Sequence, residues 1–189
     1  MFINKNKCFL IIESIKDIDL KNIKKRGKFS IIYRSKNNLE NIAKLLNFRR
    51  FCRMKSIEFY VANDIRQAVL LGSDGIYISA FNKSLRPRCL KNSNFKLIGS
   101  AHNVREISLK KKQGCNIILF SKLFLVSYDK NSPFLGIIKF NNYLRICENL
   151  VPLGGISINN LNNLNNINCK GFALLSEVKK KPAVISRLF

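Results

Sequence analysis

The chain has 189 residues, of which 47% are hydrophobic, and a formal net charge of +23 at pH 7. This length suits one compact domain over residues 1–189 whose core needs no disulfide or metal, and the composition excludes a wholly disordered protein. The longest apolar stretch, 117–126, is interrupted by Ser121 and Lys122 and is shorter than the roughly 20 residues that a membrane-spanning helix needs. The first residues lack the features of a secretion signal, so we expect a cytoplasmic protein with no membrane partner.

Eight short apolar runs follow one another along the chain. They occupy residues 8–13, 29–34, 57–62, 75–79, 96–100, 115–120, 149–154 and 171–176. Each is a near-continuous apolar stretch, which is typical of parallel strands that are buried on both faces. The pattern therefore predicts eight strands of one parallel sheet.

Segments of helical period separate most of these runs. We expect helices over 39–51, 64–71, 104–112, 141–148, 158–164 and 177–188, and Gly114 suits the C-terminal cap of the third. The segment between Ser79 and Lys96 contains Pro87 and favours a loop with a short turn. Alternating strands and helices predict an α/β fold of the (β/α)8 TIM-barrel type, shorter than the usual ~250 residues. Periodicity alone leaves an open, doubly wound sheet as the alternative.

Polar residues follow the predicted strands, at the end where a β/α barrel carries its functional groups. They are Arg34, Lys36, Asn63, Asp64, Ser79, Asn82, Ser100, His102, Asn103, Ser121, Lys122, Gly154, Gly155 and Ser176. A guanidinium offers a planar fork to phosphate, and paired glycines let the backbone approach one closely. The set indicates a phosphorylated small molecule as ligand. Asp64 is the carboxylate of this set, so any Mg²⁺ would rest mainly on it.

Six segments of the chain resemble the thiamine phosphate synthase/TenI family, in the family's order and spacing. They are IIYRSKN (31–37), ANDIRQAVLLGSDGIYIS (62–79), LIGSAHN (97–103), GCNIILFSKLF (114–124), PLGGISINN (152–160) and GFALLSEV (171–178). The resemblance covers about residues 30–178. Any one of these segments would be weak evidence, and their shared order carries the resemblance.

The resemblance implies a transferase of thiamine biosynthesis that joins hydroxymethylpyrimidine pyrophosphate to thiazole phosphate, uses Mg²⁺ and releases pyrophosphate. Its implied site residues fall into three groups. Catalytic residues that hold the pyrophosphate or act on it are Arg34, Lys36, Asn63, Ser100 and Lys130; residues that bind the thiazole phosphate are Gly154, Gly155, Leu175 and Ser176; metal ligands are Asp64 and Asn82.

Several positions depart from the family pattern. Ile32 replaces the glutamine that addresses the pyrimidine, Asn82 replaces the second metal carboxylate, and Tyr77 replaces a histidine. The loop motif that would supply Lys130 fits only with a slip of one residue, and Lys122 stands where the TenI-type tautomerase has a histidine. We therefore expect a weakened Mg²⁺ site. A non-catalytic paralogue that binds a phosphorylated metabolite is the alternative function.

The positive charge favours a third class of function, the binding of RNA or another polyanion. The basic residues are spread along the chain, with short clusters only at 24–26, 110–112 and 179–181. No zinc finger, RNP motif or basic heptad pattern accompanies them. Nucleic-acid binding is therefore the least favoured of the three functions.

Overall fold

A computed structural model describes residues 5–23, 27–35, 40–126, 131–175 and 178. Eight parallel strands run through these residues, and each overlaps one of the predicted apolar runs. They are β1 (Lys7–Ile12), β2 (Phe29–Tyr33), β3 (Glu58–Ala62), β4 (Gly75–Ile78), β5 (Lys96–Ala101), β6 (Ile117–Phe120), β7 (Leu150–Pro152) and β8 (Gly171–Leu174).

The strands form a nearly closed barrel. Their order in the sheet is β7-β6-β5-β4-β3-β2-β1-β8, and every pair is parallel. An isolated parallel bridge between Leu153 and Ala173 joins the two outer strands of this order, β7 and β8. The predicted TIM barrel is confirmed, and the alternative of an open, doubly wound sheet is wrong.

Within these described residues, four α-helices and four 3-10 helices connect the strands. The α-helices are α1 (Ile42–Met54), α2 (Ile65–Leu70), α3 (Val104–Lys112) and α4 (Gly136–Ile146); the 3-10 helices are Ile15–Asp17, Leu20–Asn22, Arg86–Asn92 and Ile158–Asn166. The segment predicted as a loop with a turn contains the 3-10 helix of 86–92. The predicted helix over 177–188 lies outside the described residues, apart from Val178.

The side chains of each strand alternate between two apolar clusters, as the period of two in a β-strand requires. On β1, Phe9 and Ile11 face the barrel interior, whereas Leu10 and Ile12 pack outward against the helices. The interior cluster contains Phe9, Ile11, Ile32, Tyr60, Tyr77, Ile98, Leu119, Val151 and Ala173. The barrel centre is therefore a packed core, which leaves ligand binding to the loops at its ends.

A polar layer closes the barrel interior at the amino ends of the strands. Glu58 forms ion pairs with Lys7 and Lys96, and it accepts hydrogen bonds from Ser30 Oγ and Tyr60 Oη at 3.0 Å each. The layer around Glu58 lies at the end of the barrel opposite to the predicted site, so its role is structural.

Within the described residues, no helix is long and apolar enough to span a membrane.

Candidate active site

Side chains from the carboxyl ends of three strands come together around Tyr77. The hydroxyl of this buried tyrosine of β4 lies near Ser100 of β5 and near Arg34, which follows β2. Burial raises the pKa of the Tyr77 hydroxyl, which is therefore neutral at physiological pH. Two residues that the sequence places at the pyrophosphate, Arg34 and Ser100, thus meet at one mouth. Tyr77 itself was predicted only as the loss of a histidine.

Glu13 is a second carboxylate at this mouth and was not among the predicted site residues. Its Oε1 lies 3.7 Å from Nη2 of Arg34, and it directly follows β1. The signal was present in the sequence, because Glu13 ends the first apolar run just as Arg34 ends the second. The prediction that Asp64 is the carboxylate of the ring is therefore incomplete.

Asn63 joins the ends of β3 and β4. Its backbone lies in the left-handed region, with φ of 61°, where asparagine is tolerated better than most side chains. Its Oδ1 accepts hydrogen bonds from Ser79 N at 3.0 Å and from Asn82 Nδ2 at 3.2 Å. The two loops that carry predicted site residues are thereby held against each other.

Asp64 and Asn82, the predicted metal ligands, line one cavity of about 750 Å³ beside this junction. Residues of the loops after β2, β3 and β4 surround it, including Ser35, Asn63, Arg66, Ser84 and Arg86. Arg66 lies on α2 and Arg86 begins the 3-10 helix after β4. Neither arginine was predicted as a site residue, because neither follows a strand directly.

The contacts of Asp64 and Asn82 do not fit a magnesium site. Asp64 Oδ1 caps α2 by accepting from Gln67 N at 2.9 Å, and Asn82 Oδ1 accepts from Ser84 N at 3.0 Å. Mg²⁺ is held largely by the negative charge of its ligands. Among the described residues that line the cavity, Asp64 is the one carboxylate, and the guanidinium groups of Arg66 and Arg86 outnumber it. Across the described residues, no group of three or more His, Cys, Asp or Glu could hold a metal ion.

A buried clamp on α3 holds the loop after β4. Lys110 is fully buried, and its Nζ donates to Ser79 O at 2.7 Å, Asn82 O at 2.9 Å and Gln113 Oε1 at 2.9 Å. Gln113 Nε2 in turn donates to Asn82 O at 2.9 Å and to Ser84 O at 2.7 Å. The Lys110–Gln113 clamp thus fixes the backbone of the loop that forms one wall of the cavity.

Gly154 and Gly155 follow β7 with φ of 91° and 70°. A Cβ on Gly155 would lie 2.4 Å from Phe124 O, and Asn160 Nδ2 donates to Gly155 O at 2.7 Å. The pair therefore packs against the loop after β6, and both this contact and the positive φ values favour glycine. Leu175 follows β8 and packs, half-buried, against the interior cluster.

The remaining predicted residues divide into two groups. His102 and Ser121 meet at the ends of β5 and β6, where Nδ1 and Oγ are 2.9 Å apart. Lys36, Lys130 and Ser176 lie outside the described residues.

The family model described as "Thiamine monophosphate synthase" matches residues 14–178. A thiamine-phosphate synthase of Prochlorococcus marinus is 26% identical over 179 residues, which make up 92% of this chain and 48% of that protein. One of Geobacillus thermodenitrificans is 24% identical over 140 residues, 71% of this chain and 62% of that protein. The chain thus spans about half to three fifths of the length of these curated relatives.

The fold is similar to that of a solved structure, the thiamine phosphate pyrophosphorylase from Pyrococcus furiosus. The TM-score is 0.73 at 16% sequence identity, and the match covers 98% of this chain and 96% of that one. At this identity the likeness concerns the barrel and its connections alone.

Proposed function

Because this chain belongs to the thiamine monophosphate synthase family, we propose that it is a transferase that joins hydroxymethylpyrimidine pyrophosphate to thiazole phosphate. The observation that carries the proposal is that Arg34, Tyr77 and Ser100 lie together at the carboxyl ends of the strands. It supplies a cation and hydroxyl groups at the place where a barrel performs its chemistry.

In the proposed reaction, the bond between the pyrimidine methylene carbon and the pyrophosphate oxygen breaks, and its electron pair leaves with pyrophosphate. The thiazole nitrogen then donates its lone pair to the methylene carbon and forms the new C–N bond. Negative charge develops on the departing pyrophosphate, so a preorganised cation beside it lowers the barrier. Arg34 is assigned this role, with Ser100 and Asn63 as hydrogen-bonding partners of the same group.

Glu13 positions Arg34 in this scheme. Its carboxylate lies 3.7 Å from the guanidinium and restricts the directions in which Arg34 can turn. Gly154, Gly155 and Leu175 are assigned to the thiazole phosphate, together with Ser176. Lys36 and Lys130 remain predictions, as do the cytoplasmic location and the single domain over 1–189. Magnesium, which the family implies, would rest on Asp64 and Asn82; because their contacts do not fit it, no step is assigned to the metal.

A second candidate, the non-catalytic paralogue, is favoured by one observation. Asn82 stands in place of a charged metal ligand, and its amide is engaged by Ser84 N and by Asn63. Such a protein would bind the phosphorylated ligand at the same mouth without turning it over.

The test is complementation of a thiamine auxotroph that lacks the synthase, followed by an assay of the purified protein for thiamine phosphate. The proposed function predicts growth and product formation. Arg34→Gln should lower kcat by at least about tenfold, whereas Arg105→Gln, an exposed arginine on α3, should leave it unchanged. Binding of the substrates with neither growth nor product would instead identify the paralogue.

A further inference from the structure

The cavity lined by Asp64 and Asn82 is built for an anion. At about 750 Å³ it falls within the range of small-molecule sites, about 300–1,000 Å³. Arg66 and Arg86 both line it, and within the described part of the chain neither guanidinium is paired with a carboxylate. With Asp64 as the one carboxylate among the described lining residues, the positive charges of the wall outnumber the negative ones.

Three carbonyl groups of the loop after β4, which contributes Asn82 and Ser84 to the cavity lining, are already hydrogen-bonded. The carbonyl oxygens of Ser79, Asn82 and Ser84 accept hydrogen bonds from the Lys110–Gln113 clamp. Carbonyl oxygens attract a metal ion and repel an anion. Their engagement by the clamp makes these oxygens less available to a divalent cation.

Lys110 also contributes positive charge beside this loop. All three partners of its Nζ are acceptors, so the amine needs three protons to satisfy them and is an ammonium. This charge is separate from those of the two arginines and contacts the loop that forms part of the cavity lining. The arginines of the lining and the ammonium of Lys110 therefore both favour a negatively charged ligand in the cavity.

We propose that this cavity binds a diphosphate group directly on Arg66 and Arg86, without a divalent cation. Each guanidinium can offer two parallel N–H donors to phosphate oxygens, the geometry in which arginine binds phosphate most strongly. Together with Arg34, which the proposed function assigns to the same group, these arginines would then supply the positive charge that a metal ion supplies elsewhere; Asn63 belongs to both sets of residues. The identity of the anion as a diphosphate rests on the proposed function, whereas the cationic character of the cavity does not.

Titration calorimetry with inorganic pyrophosphate tests the proposal, once with EDTA and once with excess Mg²⁺. The expected result is binding in EDTA. The double variant Arg66→Gln/Arg86→Gln should weaken this binding by at least about tenfold, since hydrogen bonds to charged groups contribute most to such contacts. Arg88→Gln is the matched control, because Arg88 belongs to the same 3-10 helix and is exposed but does not line the cavity.

Asp64→Asn distinguishes an anion held by the arginines from an anion held by a metal ion on Asp64. Asparagine caps a helix about as well as aspartate, so the change removes the negative charge and keeps α2. Binding in EDTA should become tighter. Binding that requires Mg²⁺ and is lost in Asp64→Asn, binding unchanged in the double arginine variant, or no binding at all would each overturn the proposal. Binding in EDTA by a protein that makes no thiamine phosphate would leave it standing and refute the synthase function instead.

Discussion

Glu58 is the central residue of the polar layer at the amino ends of the barrel strands. Burial by itself would raise the pKa of its carboxyl, but hydrogen bonds and ion pairs from Lys7, Lys96 and Ser30 outweigh burial and lower the pKa from 4.5 to about 2. A carboxyl with a lowered pKa in the folded state stabilises the protein above its unfolded pKa. That contribution is lost as the pH falls through the folded value.

We therefore expect Glu58→Gln to lower the free energy of unfolding by about 2–3 kcal/mol at neutral pH. The difference from the parent should shrink between about pH 5 and pH 2, where the parent carboxylate becomes protonated. Urea unfolding over this pH range measures it. Glu148→Gln, an exposed carboxylate outside the layer, is the control and should show no such dependence.

Gly155 gives a second prediction at the scale of a single residue. Alanine there combines a left-handed backbone with a Cβ 2.4 Å from Phe124 O, so we expect a loss of roughly 2–4 kcal/mol. Gly136 has a similar φ of 69° and open space around its Cβ position, so Gly136→Ala should cost only about 1 kcal/mol. Equal losses in thermal unfolding would show that the contact with the loop after β6 is unimportant.

At the scale of elements, the Lys110–Gln113 clamp connects α3 to the loop after β4. Lys110→Met removes the ammonium but keeps an apolar chain of similar length. It takes one of two donors from Ser79 O and from Asn82 O, and it removes the donor to Gln113 Oε1. We expect a loss of about 2–4 kcal/mol and faster amide hydrogen exchange in residues 79–86. Lys111→Met, its exposed neighbour on α3, should change neither quantity. Slow exchange in Lys110→Met would mean that the loop is held by other contacts.

Elements were predictable from the sequence wherever one local pattern decided them. The eight strands were predictable because each is a short apolar run. Helix α3 was predictable because its apolar period ends just before Gly114, and it begins and ends at the predicted residues. The helix predicted from 141 begins at Gly136, because the apolar Ile137 and Phe140 pack against the core as part of its buried face. The segment 158–166 forms a 3-10 helix rather than an α-helix. It is rich in asparagine, whose side chain competes for backbone hydrogen bonds.

The candidate site was predictable only in part. Arg34, Asn63 and Ser100 were placed correctly at strand ends, because a barrel brings those ends together whatever the loops do. The clamp could not be foreseen, since Lys110 reaches Ser79 across 31 residues of sequence. The arginines of the cavity were missed for the same reason, because their proximity arises from tertiary structure alone.

For the whole molecule, the net charge of +23 governs the response to salt. Non-specific binding to a polyanion releases counterions and weakens steeply as salt rises. We expect fluorescence anisotropy to show poly-uridine binding at low salt and its loss by about 200 mM NaCl. Tight RNA binding that persists at this salt would instead favour the polyanion-binding function.

The barrel's two ends differ in how freely their sequence can change over evolutionary time. The ion-paired layer around Glu58 couples four strands, so a substitution there endangers the scaffold itself. Exposed side chains at the opposite end, such as Arg66 and Arg86, can be exchanged with little effect on folding. A lineage can therefore replace one means of holding phosphate by another while inheriting the same barrel. The asparagine at 82 and the arginines beside it are what such a replacement would leave behind.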